Sequence, residues 1–245
     1  MEVAASLRRL GLEVTLIHLG AGLFDQFGSL EFSDELASLY RDHGVKLSLS
    51  EEVASFAGEA RLEYVETKSG TCVEADMAVV GVGVVPNVGF VARSGLTRAN
   101  GIVVNQRFET GAPGVYAAGD VANFYDPLYQ RRRRIEHWSN ADYQGTEVGK
   151  ILAGQRGGFD TVSSFFTEIF GTTVKVFGDV SRFDALTTDG ELGSGFLASY
   201  GDEGKLVGAR TVGQSVELET LVKELIAERA PMDARALELV SGMSR

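Results

Sequence analysis

The sequence predicts an α/β chain followed by a small α+β unit, and three observations carry that reading. Over residues 1–90 the hydrophobic period switches between that of a helix and that of a strand, as alternating layers require. The run Met77-Ala78-Val79-Val80-Gly81 is apolar on both faces, the pattern of a central strand in a parallel sheet. After Gly157-Gly158 the chain changes to short alternating runs separated by turn residues, the pattern of antiparallel strands.

Taken in order, Glu2 to Leu10 places Val3, Leu7 and Leu10 on one helical face, with Gly11 where the helix would end. Leu12 to His18 reads as a strand. Ser33 opens a second helix carrying Leu36, Leu39 and Tyr40, closed by His43-Gly44, and Val45 to Leu49 is extended again. Arg61 to Thr67 and Thr71 to Glu74, joined by Lys68-Ser69-Gly70, predict a β-hairpin ahead of the Met77 strand. Gly101 to Val104 and Gly114 to Ala118 are short strands, the second running into Gly119-Asp120, and Asn140 to Leu152 is a long helix. In the last part Thr173 to Gly178, Gly195 to Tyr200 and Lys205 to Val212 are strands, with Asp202-Glu203-Gly204 as a hairpin turn. A helix from Val216 to Arg229 stops before Pro231.

Composition narrows the function classes. With 44% hydrophobic and 23% charged residues the 245-residue chain is an ordinary globular mixture, and no apolar run reaches the ~20 residues of a membrane helix. Acidic Glu2 stands where a signal peptide would be basic, so a cytoplasmic protein with no membrane partner is expected. The net charge of −11 disfavours nucleic acid, whose phosphates need a basic surface. One cysteine, Cys72, excludes an intrachain disulfide and a Cys-x-x-Cys pair within these residues. The three histidines are far apart in sequence and offer no metal-ligand spacing. Thirty glycines without a collagen-like period suit a chain whose backbone approaches a nucleotide closely.

The segment Thr110-Gly-Ala-Pro-Gly-Val-Tyr-Ala-Ala-Gly-Asp-Val-Ala122 places a glycine and a carboxylate at the end of a short buried run: Gly119 would admit a ligand and Asp120 can accept hydrogen bonds from a polyol. The alternative for the dipeptide alone is a plain Gly-Asp bend. Downstream, Arg134-Ile-Glu-His-Trp-Ser-Asn-Ala-Asp-Tyr-Gln-Gly145 leads into a helix, with the sole tryptophan just before it. Together these segments resemble the second FAD-binding motif and the segment beside the flavin ring in two-dinucleotide-domain flavoprotein reductases of the ferredoxin-reductase type. That group includes rubredoxin and putidaredoxin reductases, dioxygenase reductases, apoptosis-inducing-factor-like proteins and monodehydroascorbate reductase. Ala75 to Asn87 resembles the crossover out of the group's NAD(P) domain, and Phe165 to Gly171 with the later strands and helix resembles its small carboxy-terminal domain.

The resemblance implies a Rossmann-like partial NAD(P) domain over 1–99, the carboxy-terminal segment of an FAD domain over 100–157, and a carboxy-terminal reductase or interface domain over 158–245. It implies an NAD(P)H-dependent flavoprotein reductase with FAD and NAD(P)H as cofactors, the chemistry being borne by the flavin. Gly119, Asp120, Val121, Glu136, His137 and Trp138 are then the FAD-side residues, and Glu2, His18, Gly81 and Gly83 the NAD(P)-side residues. A complete member also has two Gly-x-Gly-x-x-Gly loops. Neither is in this sequence, and Met1 to Leu7 resembles the stretch directly after the second loop, so the chain reads as amino-terminally truncated, expected to bind dinucleotides poorly and to expose strand edges. Nothing near the terminus anchors Glu2 in this reading.

His18 stands where an acid usually accepts the ribose 2′-hydroxyl of NAD, which leaves NADH against NADPH open; a solvent-facing histidine is the plainer alternative. The run Arg131 to Arg134 offers a dock for an acidic iron–sulfur carrier, against the alternative of a basic loop paired with nearby acids. No histidine follows residue 137, so the His-Glu relay of disulfide reductases is missing. Three functional readings stand: electron transfer to a ferredoxin-like carrier, reduction of a small acceptor such as monodehydroascorbate, and a non-enzymatic oligomerisation module, with a homodimer compatible with each.

Overall fold

The computed structural model describes residues 1–98 and 100–232. It begins with helix Glu2–Arg9 (α1), strand Thr15–His18 (β1), helix Leu30–Asp42 (α2) and strand Lys46–Leu49 (β2). β1 and β2 pair in parallel, from Thr15 opposite Lys46 to His18 opposite Leu49. Strands Val53–Ala57 (β3), Tyr64–Thr67 (β4) and Cys72–Glu74 (β5) come next as an antiparallel meander. The predicted alternation and the hairpin are therefore present; β3 is an addition that its short, mixed sequence did not advertise. Helix α2 starts three residues earlier than its apolar spacing indicates, because the Ser29 hydroxyl caps the Phe32 N–H.

The middle segment forms a small sheet of Thr97–Arg98 (β6), Gly101–Val103 (β7), Ala122–Asp126 (β8) and Arg131–Arg133 (β9). Helix Trp138–Leu152 (α3) comes after it. The last segment is a five-stranded sheet of Ser164–Ile169 (β10), Thr172–Gly178 (β11), Ala185–Glu191 (β12), Gly195–Asp202 (β13) and Lys205–Val212 (β14), in the order β10-β11-β14-β13-β12 and antiparallel throughout. Helix Val216–Ala227 (α4), capped by Ser215, buries Leu218, Val222 and Ile226 against Phe177, Leu197, Leu206 and Ala209.

Packing joins the first segment to the last. Leu23, Phe32, Leu36 and Tyr40 share one hydrophobic cluster with Ile169, Val176, Phe196 and Tyr200 of the carboxy-terminal sheet. A second cluster, with Val104, Phe108, Phe124 and Phe159, holds the middle segment.

Three sequence expectations are corrected. In α1 the buried residues are Ala4 and Ala5, whereas Val3 and Leu10 are exposed, because the small side chains let the helix lie close on its neighbours. Met77 to Gly81 joins no sheet: Val79, Val80 and Val82 are exposed, and the segment lines a cavity of 1620 Å³ that residues of α1 and β1 also line. Apolar composition supplies strand propensity, but a ladder also needs a neighbouring strand, and among the described residues none pairs with this one. Gly114 to Ala118 likewise forms only a bridge between Tyr116 and Glu109.

Candidate functional site

After the bridge at Tyr116, the Ala117 N–H donates to the Phe108 carbonyl, and Gly119–Val121 coils into one 3₁₀ turn against α3. Gly119 takes φ +78°, the left-handed region that favours glycine. Its N–H donates to Gln144 Oε1 of α3 at 2.8 Å, which pins the turn to the helix. Gln144 is buried and in turn donates to Asn140 Oδ1, and Asn140 donates to the Ile135 carbonyl. That chain of amides holds the Asp120 turn and the start of α3 in one arrangement. Asp120 is exposed, and its backbone carbonyl accepts from Arg134.

Helix α3 begins at Trp138, two residues earlier than predicted, with His137 as its N-cap. Trp138 is 81% exposed, so the structure gives this ring a free face and not a core position. His137 stacks on Phe165 of β10, ring centroids 3.9 Å apart, and Ser139 Oγ donates to the Ser164 carbonyl of the same strand at 2.6 Å. Burial lowers the His137 pKa below its ordinary value, against the opposing charges of Asp120 and Glu136. Glu136 pairs with Arg134, whose Nε also donates to Asn100. Gly119, Asp120, Val121, Glu136, His137 and Trp138 are thus brought together by the turn, the amide chain and β10. An exposed carboxylate, a flat exposed ring and the open N–H groups of a helix start fit a flavin's polyol, ring and pyrimidine edge.

The nucleotide-side residues are dispersed. Glu2 is anchored after all, and by a residue that sequence reasoning could not find: Thr167 Oγ1 of β10 donates to Glu2 Oε1 at 2.6 Å. Phe165 and Thr167 share one face of β10, two residues or about 7 Å apart along the strand, so neighbouring positions of one strand contact His137 and Glu2. His18 ends β1 as a half-buried residue whose Nε2 is enclosed without a hydrogen-bond partner. Gly81 and Gly83 lie in the exposed segment that joins no sheet, with Gly81 on the wall of the large cavity.

The arginine run is internally paired. Arg131 and Arg133 contact Asp179, Arg133 also contacts Asp126, Arg132 donates to the carbonyls of Val104 and Asn123, and Arg134 pairs with Glu136. Arg133, Asp126 and Asp179 are almost wholly buried, so the run fastens β9 to the carboxy-terminal sheet. Burial raises the Asp126 pKa, while at Asp179 the same burial is outweighed by Arg133, Ser181 and Arg131, and its pKa falls. Among the described residues no group of His, Cys, Asp and Glu could hold a metal ion, and no helix is long and apolar enough to cross a membrane.

Comparison with known proteins gives the chain's family and fold relatives. The profile of the pyridine nucleotide-disulphide oxidoreductase family matches residues 1–145. Putidaredoxin reductase of Pseudomonas putida is 28% identical over 241 residues, covering 97% of this chain and 57% of that protein. The ferredoxin–NAD(+) reductase subunit of the benzene 1,2-dioxygenase system of the same species is 33% identical over 195 residues, 79% of this chain and 47% of that one. Among solved structures, the covalent putidaredoxin reductase–putidaredoxin complex superposes with a TM-score of 0.87 at 26% identity, over 98% of this chain and 60% of its counterpart. The chain spans about half the length of the curated relatives it matches.

Proposed function

This chain belongs to the pyridine nucleotide-disulphide oxidoreductase family, and on that premise we propose that it supplies the nicotinamide-facing and flavin-facing walls of an FAD-dependent reductase of the ferredoxin-reductase type. The observation that carries the reading is the convergence of Asp120 with Glu136, His137 and Trp138 across the Gly119–Gln144 hydrogen bond. FAD, when bound, would accept a hydride from NAD(P)H and release the electrons to an acceptor.

The chain's own residues bind and orient. The Asp120 carboxylate accepts hydrogen bonds from the ribityl chain, and Val121 borders it through its backbone. The first N–H groups of α3 face the polar edge of the ring system. Trp138 covers an apolar face and excludes water there. His137, kept neutral by burial and clamped on Phe165, holds the entry to α3 without adding a charge. Glu2, fixed by Thr167, stands on the nicotinamide side. The segments 1–99, 100–157 and 158–245 would act as nucleotide, flavin and carboxy-terminal units.

An iron–sulfur carrier is the acceptor we favour, since a structural neighbour is a reductase bound to putidaredoxin. Its docking would not use four free arginines, because Arg131 to Arg134 are already paired. The test is Asp120→Ala in the complete protein, with flavin occupancy measured after desalting. Loss of a charged hydrogen bond should cost about 1.5–3 kcal/mol, at least tenfold in dissociation constant. Equal flavin retention by the variant and the parent protein would refute the assignment.

A further inference from the structure

The five strands of the carboxy-terminal sheet pair only with one another, and β1 and β2 form a separate pair. Among the described residues no strand ladder runs from residues 1–49 to that sheet. What joins them is side-chain packing. Phe32 tilts against Phe196 with ring centroids 5.1 Å apart, Tyr40 meets Phe170 edge-on at 5.2 Å, and His43 stacks on Phe170 at 4.0 Å. Hydrogen bonds cross the seam at separate points: Tyr200 Oη donates to the Phe27 carbonyl at 2.9 Å, the Leu192 N–H to Glu35 Oε2 at 2.6 Å, and Thr167 Oγ1 to Glu2 Oε1. A contact of this make is like one between domains, where relative motion is the ordinary expectation unless the interface is large and apolar.

This seam carries a charge. The guanidinium of Arg210, on β14, lies within it, and none of its three nitrogens has a hydrogen-bond partner. An orphaned buried cation requires an explanation. Phe32 and Phe27, both of the first segment, stand 3.8 Å and 5.5 Å from the guanidinium carbon, while Phe196, at 5.2 Å, belongs to the sheet. Two of the three rings over the charge thus come from the far side of the seam. Lifting residues 1–49 off the sheet carries both away and returns the guanidinium to water, where an unpaired cation is best solvated. Closing the seam exchanges that hydration for ring faces, which return only part of it. The charge therefore opposes closure at the place where the apolar contacts favour it, and no ladder bond has to break for the seam to part.

We propose that Arg210 makes this seam an opening joint: residues 1–49 lift from the carboxy-terminal sheet while the sheet stays folded, and the buried charge sets how often they do so. Because Thr167 holds Glu2, each opening also frees Glu2 from β10. The proposal rests on packing and charge, and it stands or falls independently of the cofactor reading.

Thiol labelling of the full chain under native conditions tests it, with exposed Cys72 first replaced by serine. Val174 is buried on the seam face of the sheet, and Ala209 is buried on the opposite face beneath α4. A cysteine placed at Val174 becomes accessible when the seam parts; one placed at Ala209 waits for α4 or the sheet to unfold. Val174→Cys should therefore label at least about tenfold faster than Ala209→Cys. Adding Arg210→Met, which leaves no charge to hydrate, should slow labelling of Val174→Cys by about tenfold. Labelling of Val174→Cys no faster than that of Ala209→Cys would show that the seam does not open by itself, and would overturn the proposal without any change at Arg210. An unchanged Val174→Cys rate in a folded protein carrying Arg210→Met would overturn the part assigned to the charge.

Discussion

Replacing Arg210 with methionine is expected to stabilise the protein. Arg210 lies on β14, flanked by Val176 and Ala198 on the neighbouring strands, and is fully buried. None of its three guanidinium nitrogens has a hydrogen-bond partner. Its compensation comes from ring faces: Phe32 at 3.8 Å from the guanidinium carbon, Phe196 at 5.2 Å and Phe27 at 5.5 Å. Burial lowers the Arg210 pKa to about 10. Removing a cation from water costs several kcal/mol even after relaxation, and a desolvated cation–π contact returns about 2 kcal/mol at close range. Phe32 is the nearest of the three, and the two farther rings return less, so the balance is unfavourable. Exchange of buried charges for well-packed apolar groups gains about 1–4 kcal/mol elsewhere, and a thioether against three phenyl rings packs well. We expect a gain of about 1–3 kcal/mol for Arg210→Met, or roughly 2–4 °C in Tm for each kcal/mol in a chain of this size. Urea denaturation with an unchanged m value, alongside calorimetry, measures it. Arg210→Lys keeps the charge but loses the flat stacking surface and should be less stable than the parent. A methionine variant destabilised by 2 kcal/mol or more would show that the rings outweigh the burial of the charge, and the reasoning would fail.

Two further outcomes concern buried charge. Asp179→Ala strips Arg131 and Arg133 of a shared carboxylate and should lower stability by about 3 kcal/mol in urea, with flavin-side residues perturbed through β9; a loss under 1 kcal/mol would mean the network is dispensable. His137 has a folded-state pKa below its ordinary value of 6.5, so the unfolded chain binds its proton more tightly. Its contribution is complete above that value and fades as pH falls towards the folded-state pKa. His137→Gln should therefore flatten the rise of stability with pH just below 6.5, and identical slopes for the two proteins would contradict the assignment.

Most helices were legible because each carries its own signals. Apolar spacing marks α2 and α4, although the Ser29 cap that sets the start of α2 was not read from it, and the Glu203-Gly204 turn marks the β13–β14 hairpin. Strands fail where identity depends on a partner. Met77 to Gly81 has the composition of a buried strand but no ladder among the described residues, while Arg131–Arg133 forms β9 from residues that read as a charge run. Four arginines in an acidic chain invite an electrostatic dock. What the sequence cannot display is that Asp179 reaches them from the carboxy-terminal segment, alongside the nearby Asp126 and Glu136.

The site was legible to the same extent, and for the same reason. Asp120 and Trp138 stand in segments short enough to be seen whole, but what fixes them relative to each other is long-range. Gln144 reaches back to Gly119, and β10 receives both His137 at Phe165 and Ser139 at Ser164. The same strand, two residues on, holds Glu2 through Thr167, across 165 positions of sequence. A strand is stiff along its length and alternates its faces, so Phe165 and Thr167 set a fixed spacing between groups drawn from the first and middle segments. Hydride transfer tolerates little misplacement, since rate falls steeply when reacting atoms move apart by an ångström. The carboxy-terminal sheet therefore does more than cover the other segments: with β10 between them, Glu2 of the first segment and His137 of the middle one are positioned by one rigid element.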